Sequence, residues 1–354
     1  MSTTCLAIGD PHFKPSNLKY AKQMADKVWE LASDKDPRFV VILGDVLHTH
    51  EKINMFAHQE AVKFILDISS EFDTYLLIGN HDRPDNDHYL TNVHPFTGLK
   101  GTVSNLTVVD AGLVTEIDGK KIVFMPYVPD GRFDEALRTL DVDPENMSDI
   151  SMIFAHQTFK GAKMGAKIAG EDDSPVDEWP VNRPPIISGH IHDFDHLQPN
   201  LIYTGTPFQH AFGDRDDKTV SLVTINDSEV YSFDHERISL GLPTRRTFRV
   251  KPEDVPDFKP PVVEDPSLVR IVITGTQGDI KTVVKSGFTK AWLTSGYKVV
   301  FKYHKEHVDE IKTPESLNID TWISRRSNAK SFRATLLETL KEKPDELAWF
   351  NELF

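Results

Sequence analysis

Five times along this chain a short, wholly apolar run stops on a glycine, a carboxylate, an amide or an imidazole. Cys5 to Ile8 ends in Gly9-Asp10-Pro11-His12, Phe39 to Leu43 in Gly44-Asp45, and Tyr75 to Ile78 in Gly79-Asn80-His81-Asp82. Farther along, Met152 to Ala155 leads into His156, and Ile186-Ile187-Ser188 leads into Gly189-His190-Ile191-His192. Apolar runs of four or five residues read as strands buried on both faces. Leu18, Ala21, Ala25, Val28 and Leu31 recur at helical spacing after the first run, and Phe56, Val62, Phe64, Ile65 and Leu66 after the second. Strand, helix, strand, helix, strand implies an α/β sheet covered on both sides, with the polar residues after the strand ends gathered along one rim.

The texture then changes. Leu106 to Asp110, Val114 to Ile117 and Ile122 to Met125 read as strands, the last two joined at Asp118-Gly119, and they point to a second sheet. Gly161 to Pro185, rich in Gly, Pro and acids, reads as a long surface loop, and Val220 to Ile225 with Val230 to Phe233 as a closing hairpin. Five prolines between Lys251 and Pro266 mark a linker. Past it, Val269 to Thr274 and Tyr297 to Tyr303 read as strands flanking a helix near Thr282 to Trp292, and Ser327 to Lys341 and Pro344 to Phe354 as helices. The expected division is 1–245 for the main domain, 246–267 for the linker and 268–354 for a small C-terminal module.

Composition excludes several classes. The 354 residues carry 40 Lys and Arg against 54 Asp and Glu, a net charge of −14, so the surface does not hold nucleic acid or anionic membrane by bulk charge. A polyanion must be met locally. The single cysteine, Cys5, excludes a disulfide framework and thiolate zinc sites, and suits a reducing compartment. No apolar run approaches the roughly 20 residues of a spanning helix and no export signal opens the chain, so a cytoplasmic location is expected.

The residues at the five strand ends are carboxylate, amide and imidazole, a donor mixture suited to manganese, iron or zinc. Two metals about 3.5 to 4 Å apart need a shared ligand, and carboxylate bridges where imidazole cannot. Asp45 is the expected bridge. His81, beside a ligand position, is the expected proton donor to a leaving alkoxide. The other histidines invite plainer readings: His50 and His58 as solvated, and the loop Asp85, Asn86, Asp87 and His88 as a solvated rim, with DNA contact as its alternative. Arg325, Arg326, Lys330 and Arg333 read equally as phosphate contacts or as a solvated helix start, and Trp349, Phe350, Leu353 and Phe354 as core or a partner-docking stripe.

In order, Asp-x-His, Gly-Asp, Gly-Asn-His-Asp, His and Gly-His-x-His resemble the signature of the calcineurin-like metallophosphoesterases over roughly residues 1 to 240. The resemblance implies a two-sheet αββα sandwich with a small C-terminal α+β capping domain. It also implies two divalent metal ions, manganese foremost, with Asp10, His12, Asp45 and His192 around one and Asp45, Asn80, His156 and His190 around the other. Gly44-Asp45-Val46-Leu47-His48 is similar to the SbcD-type DNA repair nucleases, in which the extra histidine supports catalysis, so His48 joins His81 as a candidate catalytic residue. Thr204-Gly205-Thr206-Pro207 and Phe212-Gly213-Asp214 are similar to segments of the same nucleases. This chain departs from them at Phe13-Lys14, Glu51-Lys52 and Asp214, positions that bear on substrate contact. By resemblance the chain is a DNA exonuclease, with endonuclease action also in view, acting on DNA as a homodimer with an SbcC-type coiled-coil ATPase. Arg245, Arg246, Arg249 and Lys251 are its candidate DNA-binding residues. A phosphodiesterase or phosphatase for small substrates is the alternative, and the acidic net charge leans toward it.

Overall fold

A computed structural model describes residues 2–50, 52–165, 167–171, 175–227 and 231–304. The expected helices beyond Ser327, the basic residues Arg325, Arg326, Lys330 and Arg333 and the terminal aromatic stripe lie outside the described residues.

Two six-stranded sheets face each other. The first is built on β1 (Thr3–Ile8), β2 (Phe39–Ile42), β3 (Thr74–Leu77) and β4 (Leu106–Val109), all parallel. The second holds β5 (Leu113–Ile117), β6 (Lys120–Met125), β7 (Ile150–His156), β10 (Ile186–Gly189), β11 (Asp195–Gln198) and β12 (Leu201–Tyr203), in the order β11-β12-β10-β7-β6-β5. The chain then returns to the first sheet with β13 (Val220–Ile225), antiparallel to β1, and β14 (Phe233–Ile238) at its edge. The expected second sheet thus begins at β5, one strand later than the texture change suggests, and β14 starts where the expected closing strand ends.

Side-chain alternation assigns the layers. On β1, Cys5 and Ala7 point between the sheets with Phe39, Val41, Leu43, Phe124 and Phe154. Leu6 and Ile8 point the other way, toward α1 (Leu18–Lys35) and α2 (Met55–Ser69). In the inter-sheet layer the Tyr75 and Phe124 rings stack with centroids 4.1 Å apart, and Phe39 meets Phe154 edge-on at 5.8 Å. Each such pair adds about 0.5–1.5 kcal/mol beyond the area it buries. The Cys5 thiol is wholly buried here, and burial pushes its pKa far up, so it behaves as a small apolar side chain.

The outer face of the second sheet is covered mainly by irregular chain. The helix α3 (Phe133–Arg138) is short, and Trp179 and Ala162, from the stretch expected to be a surface loop, are buried beside it against Phe159 and Tyr203. That stretch also carries a small hairpin, β8 (Lys163–Met164) with β9 (Lys167–Ile168). Part of the expected loop is therefore a layer of the sandwich.

A third sheet of three parallel strands follows: β15 (Arg246–Val250), β16 (Val269–Gly275) and β17 (Lys298–Tyr303), with β16 central. Residues 246–250, expected within the linker, form its first strand, because Phe248 and Val250 pack with Ile271, Ile273 and Trp292. Two helices, α4 (Gln277–Val284) and α5 (Gly287–Thr294), replace the single expected one, divided by Ser286, which caps α5 by accepting from the Thr289 amide. Asp265 fastens this unit to the main body, accepting from Lys19 Nζ at 2.8 Å and from the Tyr20 hydroxyl. No helix among the described residues is long and apolar enough to cross a membrane.

Candidate metal centre

The first sheet sends the loops after β1, β2 and β3 to one rim, and the second sheet sends those after β7 and β10 to the same place. These loops bind one another through backbone: His12 N donates to Asp45 O at 3.0 Å and Phe13 N to Val46 O at 2.7 Å. Asp82 steadies the second loop from the third, accepting from Leu47 N at 2.9 Å and from Val46 N and Gly79 N at 3.2 Å each. Burial and the nearby Asp45 charge still push Asp82 up to about 7.

The geometry is tight enough to require glycine. Gly44 sits at φ +98°, where L side chains are strained, and a Cβ on Gly79 would lie 2.2 Å from Asp45 Oδ1. Four of the candidate ligands themselves take left-handed backbone: Asp10 at φ 39°, His12 at 45°, Asp45 at 48° and His190 at 78°. Non-glycine residues in this region cost stability, and such strain concentrates at functional sites.

The structure brings all seven candidate ligands together. Asp10, His12 and Asp45 form one group and Asp45, His156 and His190 another, the offered ligand atoms within each lying no more than 4.8 Å apart. Asp45 belongs to both. Asn80 joins the second group, its Oδ1 lying 3.1 Å from His156 Nε2 and 3.0 Å from His190 Nδ1. His192 joins the first, with Nε2 3.0 Å from His12 Nε2.

Hydrogen-bond logic shows which atoms are free to coordinate. A carbonyl only accepts, so His156 Nδ1, 2.6 Å from Leu43 O, carries a hydrogen and Nε2, aimed at Asn80 Oδ1 and Asp45 Oδ1, is the atom that coordinates once its proton is displaced. By the same reasoning His12 Nδ1, 3.2 Å from Leu47 O, leaves Nε2 bare toward His192 and Asp45. Coordinating atoms thus converge from several elements, an arrangement that a cation satisfies by taking the place of the protons among them. Charge points the same way. Burial opposes a charged His156 ring, but Asp45 and Asp10 outweigh it and carry the ring up to about 9, while burial carries Asp10 up to about 8. The fold holds protons among its buried carboxylates where divalent ions would supply the compensating charge. The donor set therefore fits a pair of divalent metals.

The candidate catalytic histidines stand at the edge of this cluster. The rings of His48 and His81 are parallel, 5.8 Å apart, and each lies about 5 Å from the His12 ring. His81 N donates to Asp45 Oδ1 at 2.9 Å and its Nδ1 donates to His48 O at 2.9 Å, leaving Nε2 free. Burial, then Lys14 and His81, lower His48 to about 4.

Several residues of the site were not singled out by sequence. His210 is buried against His12, with ring centroids 5.1 Å apart; its Nε2 donates to Asp10 O at 3.0 Å and its Nδ1 accepts from Asn17 Nδ2 at 3.3 Å. Asn17 also donates to His12 O at 2.9 Å, so the residue at the N-cap position of α1 serves the centre in place of capping the helix. The Tyr127 ring covers His190 at 5.8 Å. His50, expected to be solvated, stacks on His81 at 4.5 Å with its Nδ1 buried and unpartnered. His58 is likewise partly buried, stacked on Phe96 at 6.0 Å. The polar loop from Asp85 to His88 is exposed as expected, but the wholly buried Arg83 holds its far side, donating to His88 O at 3.0 Å, Thr91 O at 3.1 Å and Asp110 O at 2.9 Å.

The four candidate DNA-binding residues do not form one surface. Arg245 is half-buried, tied to Gln209 O at 3.2 Å, while Arg246, Arg249 and Lys251 are exposed. Arg246 and Arg249, three apart on a strand, face opposite sides.

A two-sheet α/β sandwich whose rim gathers overlapping carboxylate and imidazole clusters defines a metal-dependent phosphoesterase. The description "Calcineurin-like phosphoesterase" matches residues 3–194, and the chain belongs to that family, whose members use divalent metal ions. It is 32% identical over 314 residues to "Putative phosphoesterase 078R" of Invertebrate iridescent virus 3, across 88% of this chain and 87% of the relative. It is 38% identical over 287 residues to "Putative phosphoesterase 244L" of Invertebrate iridescent virus 6, across 79% of this chain and 97% of the relative. A solved structure of a hypothetical protein from Thermus thermophilus covers 66% of this chain and 98% of its own, at 11% identity and a TM-score of 0.35.

Proposed function

We propose that this phosphoesterase is a dinuclear, manganese-dependent DNA nuclease that hydrolyses backbone phosphodiesters as an exonuclease, with endonuclease action open to the same chemistry. The observation that carries the reading is the second histidine beside His81. His48 lies at the rim, parallel to His81 and next to His12, where it can meet a phosphodiester's flanking oxygens.

When bound, divalent ions supply Lewis-acid polarisation of the phosphoryl group and the acidification of water that makes a nucleophile at neutral pH. Asp10, His12, Asp45 and His192 would hold one ion, and Asp45, Asn80, His156 and His190 the other. The protein's own part is proton transfer and positioning. His81, its Nδ1 hydrogen fixed on His48 O, presents Nε2 to hold a proton and release it to the leaving alkoxide. Asp45, accepting from the His81 amide, fixes that imidazole relative to the centre. His48 and His50 flank the His81 ring and limit its rotation.

Homodimerisation, with α2 as a candidate surface, a coiled-coil ATPase partner of the SbcC type and a cytoplasmic site of action complete the proposal. All rest on the resemblance to the SbcD-type nucleases. The competing reading, a hydrolase of small phosphodiesters or phosphomonoesters, is favoured by the net charge of −14. End-labelled duplex, hairpin and single-stranded DNA, incubated with and without manganese, separate the two. Manganese-dependent degradation supports the nuclease. A metal-loaded protein that hydrolyses bis(p-nitrophenyl) phosphate and leaves every DNA substrate intact overturns it.

A further inference from the structure

Two residues after His210, and so within about 7 Å of it along the chain, the Phe212 ring is surrounded by cations. The Arg245 guanidinium lies 5.6 Å from its centroid, that of Arg270 4.8 Å and the Lys298 ammonium 5.1 Å. They come from separate parts of the fold: Arg245 from the end of the main body, Arg270 from β16 and Lys298 from β17. Arg270 also donates to Phe212 O at 3.4 Å and to Thr247 Oγ1 at 3.1 Å.

Each cation gains from the face of the ring, but the cations also repel one another. Arg270 and Lys298 are register partners across β16 and β17, and like charges placed opposite each other weaken a sheet. None of the three has a carboxylate oxygen within 4.0 Å among the described residues, in a chain where acids outnumber bases by 54 to 40. Asp214 contributes one negative charge on the same loop, its Oδ2 accepting from His210 N at 2.7 Å and Ala211 N at 2.8 Å. Three cations around one ring, none ion-paired among the described residues, leave positive charge for an added anion.

We propose that Arg245, Arg270 and Lys298 form an anchor for a non-scissile phosphate of a nucleic-acid backbone, set on the Phe212 loop beside the metal centre. The assignment rests on the nuclease reading for the identity of the polyanion. Its position suits that class of ligand: Phe212 is two residues from His210, which packs on His12, so a substrate with phosphates on either side of the scissile one could engage both. It also replaces Arg246 and Arg249, which face opposite sides of β15, with residues grouped around one ring.

The test uses the full chain with metals chelated, so that binding is read without cleavage. A fluorescein-labelled 20-base-pair duplex is titrated by anisotropy at several salt concentrations against wild type, the double variant Arg270→Gln/Lys298→Gln and the charge-keeping variant Arg270→Lys/Lys298→Arg. The double variant is expected to bind about tenfold more weakly with the salt slope reduced by about 1 to 2, and the charge-keeping variant to retain both. Manganese affinity by calorimetry and melting temperature report whether the variants remain folded. Unchanged affinity and slope in a folded double variant overturn the anchor, as does a wild type that does not bind duplex. A lowered melting temperature with unaltered DNA binding also overturns it, leaving the cations as docking contacts for the 207–216 loop. Wild type that binds duplex through these cations and yet never cleaves it with manganese removes the nuclease reading and leaves the anchor standing.

Discussion

His210 Nε2 lies 3.0 Å from the carbonyl oxygen of Asp10 and donates to it, so a histidine from the far end of the main body fixes the backbone of the first candidate ligand loop. Asp10 is held at φ 39°, a left-handed conformation that is unfavourable for L residues, although less so for Asp than for most. His210→Ala is expected to lower metal affinity by about 10- to 100-fold, the range for loss of a group that orients ligands. Calorimetric titration with manganese measures it, and an affinity equal to wild type in a folded variant contradicts the supporting role.

His81→Ala separates proton transfer from metal binding. The loss of a positioned general acid costs about 10²- to 10⁴-fold in rate, whereas the candidate ligand set remains complete. The expected result is full metal content by elemental analysis with phosphodiesterase activity reduced at least 100-fold. Activity near wild type would move the donor role to another group.

Gly79→Ala tests the tightness of the rim. The added Cβ would fall 2.2 Å from Asp45 Oδ1 and 2.4 Å from Asp45 N, neither of which can retreat without moving the shared carboxylate. Overpacking of this kind costs about 1–3 kcal/mol. The variant is expected to melt lower and to bind metal weakly, whereas Gly98→Ala, with nothing within 4 Å, leaves metal binding intact.

Arg83→Met probes a buried cation that bonds three carbonyls and has an unpartnered Nε. Removing these donors from buried acceptors is expected to cost about 2–4 kcal/mol and to free the 84–93 loop. Chemical denaturation gives the stability, and limited proteolysis shows whether cleavage appears in that loop.

The pH dependence of stability is expected to carry a contribution from His235. Burial, followed by His196 and Arg237, lowers its pKa from 6.5 to about 4. Between those values the unfolded chain binds a proton that the native ring does not, so its contribution is complete above pH 6.5 and is lost as pH falls through 4. His235→Gln should flatten that window by about 1 kcal/mol, allowing for the partly solvated ring. Denaturation midpoints at pH 7 and pH 4.5, compared between wild type and variant, decide it.

The sequence made the candidate ligands legible because each follows an apolar run whose end is marked by glycine or by an abrupt polar residue. Parallel pairing of β1, β2 and β3, and of β7 and β10, then forces the ends together. His210 was hidden because Thr206-Pro207-Phe208-Gln209 precedes it, with no strand end to mark it; its place between two segments similar to the nucleases was the available signal. Asn17 was hidden because its side chain leaves a capping position to serve a loop. His50 looked solvated because its partner, His81, lies 31 positions away in numbering and meets it only in the folded rim. Arg246 to Val250 looked like linker because a five-residue strand with arginines at both ends of its apolar centre gains its neighbours only from β16 and the helices and loop packed on it.

The pocket draws its walls from both sheets, with Asp10, Asp45 and Asn80 on one and His156 and His190 on the other. A growing polypeptide therefore owns no complete cage until the stretch through His192 has left the ribosome and the halves have closed. Completion of the pair becomes a late step, and a truncated product ending after β6 would carry four of the seven donors, with the cluster of Asp10, His12 and Asp45 but without His156 and His190 for the second.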